Sequence, residues 1–388
     1  MLVGLLDSLY SGISIGAVLL IAALGLAIVF GLMGVINMAH GELMMLGAYT
    51  TFVVQNGFKL LGESWFEVYI IFAIPVAFLV AAAVGLVLER GVIRYLYGRP
   101  LETLLATWGV SLILQQFVRS VNWVFVIGIA VFCLLFFGAM WVLSNRLDRI
   151  RNWGVAVMLP LSLGISFFTG KFLAQTFKLA VTQPWFGTQG VDVTAPKWLR
   201  DGLRVELSGG NFQLSYVRLF IIGLTILCVV GIYLFLQRSA WGLRIRSVTQ
   251  NRSMSACLGI PTQTVDALTF AIGSGLAGVA GCAISLLGSV SPNTGQSYVV
   301  DTFMVVVVGG VGKLVGSIVA AIAIGTANYL IGSGVLALTF TPIKPLFDFF
   351  SFFATSSMAK VMVFALIIAF LQVRPGGMFP QKGRSVDA

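Results

Sequence analysis

Apolar runs of about 20 residues recur along the whole chain, each long enough to cross a hydrocarbon core roughly 30 Å thick. They fall near 9–31, 38–56, 68–89, 103–119, 123–143, 153–173, 216–236, 265–288, 300–312, 314–335 and 358–373. The runs are continuous and lack the roughly ten-residue alternating segments of barrel strands. Only 10% of the 388 residues are charged, against roughly 25% in soluble domains, too few to cover a water-facing surface. The expectation is an all-α fold: one polytopic transmembrane bundle over 1–388, with about 9–11 membrane segments. The run at 300–312 is short enough to be re-entrant. "MLVGLLDSLYSG" has no basic n-region and carries Asp7, so it does not read as a cleaved signal peptide.

Orientation follows from Lys and Arg. One set of loops holds Arg90, Arg94 and Arg99, then Arg146, Arg149 and Arg151, then Arg238, Arg244, Arg246 and Arg252, then Lys313 and finally Arg374, Lys382 and Arg384. The other side has Lys59, Lys344 and a long polar stretch, 174–215, where Lys178, Lys197, Arg200 and Arg204 are partly balanced by Asp192, Asp201 and Glu206. This places the N-terminus outside and the C-terminus in the cytoplasm. The net charge of +10 is then loop charge beside membrane lipid and needs no nucleic-acid partner. Small residues at four-residue spacing, Gly12 and Gly16 or Gly273, Ala277 and Gly281, predict close helix crossings.

No energy-coupling motif is visible. "VVGGVGKL" has Val307 where a P-loop needs glycine and Leu314 after the lysine, so it cannot cradle phosphate. Cys133, Cys228, Cys257 and Cys282 form no C-x-x-C pair. With one histidine and no paired carboxylates, neither catalysis nor a metal or cofactor site is expected. Polar groups inside spans are the informative residues. Asn37, His40 and Glu42 stand together in an otherwise uncharged run, with Thr107, Gln115, Gln116 and Asn328 elsewhere. Two roles are open for the first three. Asn37 reads as a helix N-cap, Glu42 as a first-turn acid and His40 as a neutral residue holding the turn; alternatively they touch or gate the solute. A path of amides and hydroxyls suits a small neutral polar solute. The 237–270 loop predicts one short helix near 247–258, closed by Gly259 with Pro261 beyond. It is either an ordinary basic loop or a docking helix for a cytoplasmic partner.

Several segments carry a resemblance. "GLMGVINMAHGELMMLGAY", with Gly31, Asn37, Ala39, His40, Gly41, Gly47, Ala48 and Tyr49, is similar to the opening signature of the branched-chain amino acid and urea ABC permease family. "LLATWGVSLILQQ", "VVVVGGVGKLVGSIVAAI" and "RPGGMFP" resemble the family in the same order. Ala256 and Gly259 resemble the coupling helix of an ABC importer permease. The resemblance implies a permease subunit, itself not an enzyme, in the cell's inner membrane. It would work with a second permease subunit, two cytoplasmic ATPase subunits and an extracytoplasmic substrate-binding protein. It makes 237–260 the ATPase-coupling loop, with Arg244, Arg246, Asn251, Met254, Ala256 and Gly259 as its contact residues, and 183–215 an extracytoplasmic loop. "FGTQGVDVTAPKWLRDGL" and "ATWGVSLILQQ" are most similar to the family's urea permeases. Urea is therefore the expected cargo, with a branched-chain or related amino acid as the alternative and a passive urea channel behind both. Residues 124–182 depart from the pattern and read as a two-helix insertion.

Overall fold

A computed structural model describes residues 2–144, 151–176, 184–186, 190–207, 210–341 and 344–379. Arg146, Arg149, Lys178, Lys382 and Arg384 lie outside these described residues, as does part of "FGTQG". The chain forms two compact units, Leu112–Val191 and the remainder.

All eleven expected segments are helices. They are α1 (Leu2–Met33), α2 (His40–Leu61), α4 (Tyr69–Gly91), α5 (Pro100–Ser120), α6 (Trp123–Ser144), α7 (Arg151–Thr176), α9 (Tyr216–Arg238), α12 (Thr262–Leu287), α13 (Thr294–Gly309), α14 (Leu314–Gly332) and α17 (Ser356–Val373). Short helices fill connections: α3 (Glu63–Phe66), α8 (Lys197–Arg200), α10 (Ala240–Gln250), α11 (Arg252–Cys257), α15 (Val335–Thr339) and α16 (Lys344–Phe352). Among the described residues, seven helices are long and apolar enough to cross a membrane: most of α1, together with α4, α5, α9, α12, α14 and α17. The protein is a multi-pass helical membrane protein.

Within the larger unit α1 is the central post, with nearly every side chain from Ala17 to Val29 buried. It crosses α14 where Gly12 and Gly16 meet Thr326 and Ala321, and α12 where Gly25 meets Gly273. On α12, Gly278 lies on Gly47 of α2 and Ala77 of α4, and Gly281 lies on the Met44 carbonyl. The small-residue spacing thus seats three neighbours around α12. Lipid supplies no hydrophobic drive between helices, so the attraction comes from this close van der Waals contact. Large apolar side chains such as Ile71 and Leu79 on α4, or Leu227 on α9, remain on the outer surface, where lipid is their natural solvent. At the C-terminal end of α13, the segment after α17 folds back, and the Met378 N–H donates to the Val308 carbonyl at 2.8 Å.

The smaller unit contains α6 and α7, held side by side where the Ser166 hydroxyl donates to the Gly128 carbonyl at 2.6 Å. The stretch expected as an insertion, 124–182, falls inside it.

The helical bundle carries one small addition: β1 (Gly202–Leu207) and β2 (Gly210–Ser215) form an antiparallel hairpin with Gly202 opposite Ser215. Leu203, Val205 and Leu207 alternate with Arg204 and Glu206, the period-2 pattern of a strand. One expectation needs correction: the single short helix near 247–258 is instead two, α10 and α11. The extended backbone of Asn251 (φ −154°, ψ 102°) breaks the run, and its Oδ1 accepts the Met254 N–H at 2.9 Å to start α11.

Candidate functional site

Two connections double back into the larger unit. α1 ends at Met33, yet His40, the first residue of α2, has its Nε2 3.0 Å from the Ala22 carbonyl. Ala22 stands eleven residues before Met33, or about 16 Å of helix rise, so residues 34–39 climb back along α1. Gly34 begins the reversal at φ 67°, where a side chain would be strained. Similarly, α12 runs on to Leu287, nine residues beyond its crossing with α2 at Gly278. Gly295 in the first turn of α13 nevertheless lies against Gly41 in the first turn of α2, backbone to backbone. The N-terminal ends of α2 and α13 therefore meet beside the middle of α1. Each carries about +0.5 charge from its unpaired N–H groups. Membrane transporters present such interrupted helix ends to solutes.

Asn37, His40, Glu42 and Thr107 converge here. Asn37 Oδ1 accepts the Ala39 N–H at 3.1 Å, so it shapes the turn before α2 and does not cap the helix as expected, because Ala39 occupies the N-cap position. Glu42 is the first-turn acid, and Oε1 accepts the Ser111 hydroxyl at 3.0 Å. Thr107 Oγ1 accepts the Met38 N–H at 3.1 Å. Thr103, Thr107, Ser111 and Gln115 recur every fourth residue along α5 and all are buried, whereas Gln116 is exposed. The gap beside Asn37, Ala39 and Thr107 is too small for a water molecule. Asn37 Nδ2 and His40 Nδ1 have no hydrogen-bond partner. The cluster is closed and its hydrogen bonds hold the doubled-back turn. Asn328 is elsewhere, half-buried in a pocket with Asp301 and Lys360.

His40→Ala should therefore act first on stability. It removes the Ala22 bond and opens a cavity, costing about 2–4 kcal/mol. A lowered melting temperature of the purified chain in detergent would show this. A pure path role would lower uptake with melting unchanged.

The 237–260 loop stands at the end of the unit where α4 finishes and α12 begins. Arg244 is exposed and stacks over Trp241, 4.7 Å from the ring centroid. Arg246 is turned back, donating to Gln237 Oε1 at 3.0 Å. On α11 and just after it, Met254, Ala256 and Leu258 are exposed. Gly259 closes the element at φ 79°, with the Ile260 N–H donating to the Ser255 carbonyl. Beneath α11 lies a charged cluster. Arg252 Nη2 donates to Asp266 Oδ2 at 2.5 Å, and its guanidinium lies 4.7 Å from the Tyr97 ring centroid. Tyr97 Oη donates to Glu89 Oε1 at 3.3 Å, and Arg94 bonds Gln263. Burial, followed by the carboxylates of Asp266 and Glu89, raises the Tyr97 phenol above its ordinary range, so it remains a donor.

A model of the permease component of branched-chain amino acid transport systems matches residues 8–371. The chain belongs to that permease family. Among relatives, the high-affinity branched-chain amino acid transport system permease protein BraD of Pseudomonas aeruginosa is 26% identical over 325 residues, covering 83% of this chain and 85% of BraD. LivH of Escherichia coli, a permease protein of the same description, is 23% identical over 378 residues, covering 96% and 94%. The ribose import permease protein RbsC of Bacillus subtilis is 28% identical over 110 residues, covering 26% and 34%. No solved structure matches the chain.

As a member of this permease family, the chain has parts that the sequence alone does not expose. Ser111, Tyr97, Glu89 and the pairing of Arg252 with Asp266 carry no motif that marks them in the sequence. Family membership accounts for the missing P-loop, since permease components are distinct subunits of their transport systems.

Proposed function

We propose that this chain is the membrane-spanning subunit of an ATP-driven importer that moves branched-chain amino acids inward. The similarity to BraD and LivH along nearly the whole chain carries this reading and favours amino acids over urea. Of two cytoplasmic ATPases, one would dock on α10 and α11 of this chain, where Arg244, Met254, Ala256 and Leu258 are exposed. A second permease subunit and an outer binding protein would complete the assembly. An outside N-terminus is supported by the basic residues of one end, including Arg94, Arg99, Arg244 and Arg252.

Uptake of labelled leucine and labelled urea in cells lacking the chain, and with it restored, tests the proposal. ATP-dependent leucine uptake should be lost and rescued. Loss and rescue of urea uptake alone would return the chain to the urea branch, and flux that persists without ATP would leave a channel.

A further inference from the structure

The larger unit contains a second polar feature, well apart in sequence from the Asn37 turn. A pocket of about 530 Å³ opens between α13, α14 and α17, lined in part by Ser297, Tyr298, Asp301, Asn328, Ser356 and Lys360. Its volume falls in the range of small-molecule sites, about 300–1,000 Å³. The groove between α1, α9 and α14, by contrast, is lined almost wholly by aliphatic side chains.

An ion pair lies in the wall of this pocket. Lys360 Nζ is 2.9 Å from Asp301 Oδ2 and 3.4 Å from the Ser297 carbonyl, and 5.7 Å from the Tyr298 ring centroid. The Asp301 side chain is 4% exposed and that of Lys360 33%. Charges between membrane helices are costly to desolvate and mark functional positions. An apolar pair of the same shape would hold α13 to α17 at least as well. The arrangement has the two ends a zwitterion needs. An incoming ammonium could replace Nζ at the Asp301 carboxylate, the Ser297 carbonyl and the Tyr298 ring face. A carboxylate could then take the released Lys360 ammonium, beside the amide of Asn328 and the hydroxyl of Ser356.

We propose that this pocket binds an α-amino acid as its zwitterion, with the ammonium at Asp301 and the carboxylate at Lys360. The proposal rests on the amino-acid reading given above and adds the place and chemistry of recognition. Urea, which has no charge to exchange, would leave the ion pair intact.

The test is equilibrium binding of labelled leucine to the full chain in nanodiscs of phosphatidylcholine and phosphatidylglycerol. On the unaltered chain, leucinol (no carboxylate) and 4-methylpentanoate (no ammonium) should compete about tenfold or more less well than leucine. Asp301→Asn and Lys360→Gln should each weaken leucine binding by about tenfold or more. Equal competition by the analogues, or unchanged affinity in both variants, would overturn the pocket and leave a structural ion pair. Retention of labelled phosphatidylethanolamine by the unaltered chain in place of leucine, lost in both variants, would assign the pocket to a lipid headgroup and also overturn it. Cellular leucine uptake keeps the two ideas apart. Uptake that survives both substitutions sinks the pocket alone, and its absence from the unaltered chain sinks the amino-acid reading.

Discussion

Gly281→Val is expected to leave almost no folded permease in the membrane. A Cβ at Gly281 would run into the Met44 carbonyl and the Ala48 N–H of α2. These are backbone atoms in the middle of a helix, so no side chain can swing aside. Overpacked cores typically lose about 1–3 kcal/mol, and this site should exceed that because α2 itself would have to move. Moving α2 would also disturb Gly47 on Gly278 and Gly41 on Gly295. Size-exclusion of a fluorescently tagged chain reads the outcome directly. Gly57→Val, whose Cβ would meet nothing, provides the control. A monodisperse Gly281→Val peak equal to the control would show that the α2–α12 crossing is looser than described.

Arg252→Ala should uncouple the importer without unfolding it. The substitution strips the partner from Asp266, whose side chain is only 6% exposed. Breaking a fully buried pair costs about 3–5 kcal/mol. The Arg252 side chain is 47% exposed, so solvent screening reduces this to about 1–3 kcal/mol. The larger effect is mechanical. Arg252 fastens α11 to α12 through Asp266 and to Glu89 at the end of α4 through Tyr97. α12 in turn carries Gly273 and Gly278, which touch α1 and α2. Without the tether, ATPase movement at α11 would reach α12 and α4 less directly, through the short 258–261 connection and through α10, which packs on α9 and α12. In the assembled importer, leucine uptake should fall about tenfold while ATP hydrolysis persists, a difference of about 1.4 kcal/mol in coupling. Asp266→Asn should be milder, since an amide still accepts from Arg252. Matched losses of hydrolysis and uptake would instead mean that Arg252 serves assembly.

Much of the fold was legible because its signals are local. Apolar runs set the helices, Gly12, Gly16, Gly273 and Gly281 set the close crossings, and Gly259 with Pro261 set the end of α11. What escaped depends on partners distant in sequence. Residues 34–39 look like any short connection, and only the contact of His40 with Ala22 makes them a reversal. Glu42 finds Ser111 sixty-nine positions away, and Asp301 finds Lys360 fifty-nine away. Asn251, expected as a contact residue, has its side chain occupied as the cap that divides the 237–260 loop in two. The β1–β2 alternation is present in the sequence but is short beside so many helical runs.

The bond from Met378 to Val308 also has a bearing on the order in which the molecule is built. The ribosome makes α13 some seventy residues (308 to 378) before the segment that grips its lower end. Until then α13, one of the two helices meeting at Gly41 and Gly295, has only its neighbours to hold it. The residue that ties down the C-terminal end of α13 is therefore made well after the helix itself. A nascent permease halted before residue 378 would have α13 and α17 made, with the C-terminal end of α13 still lacking this bond.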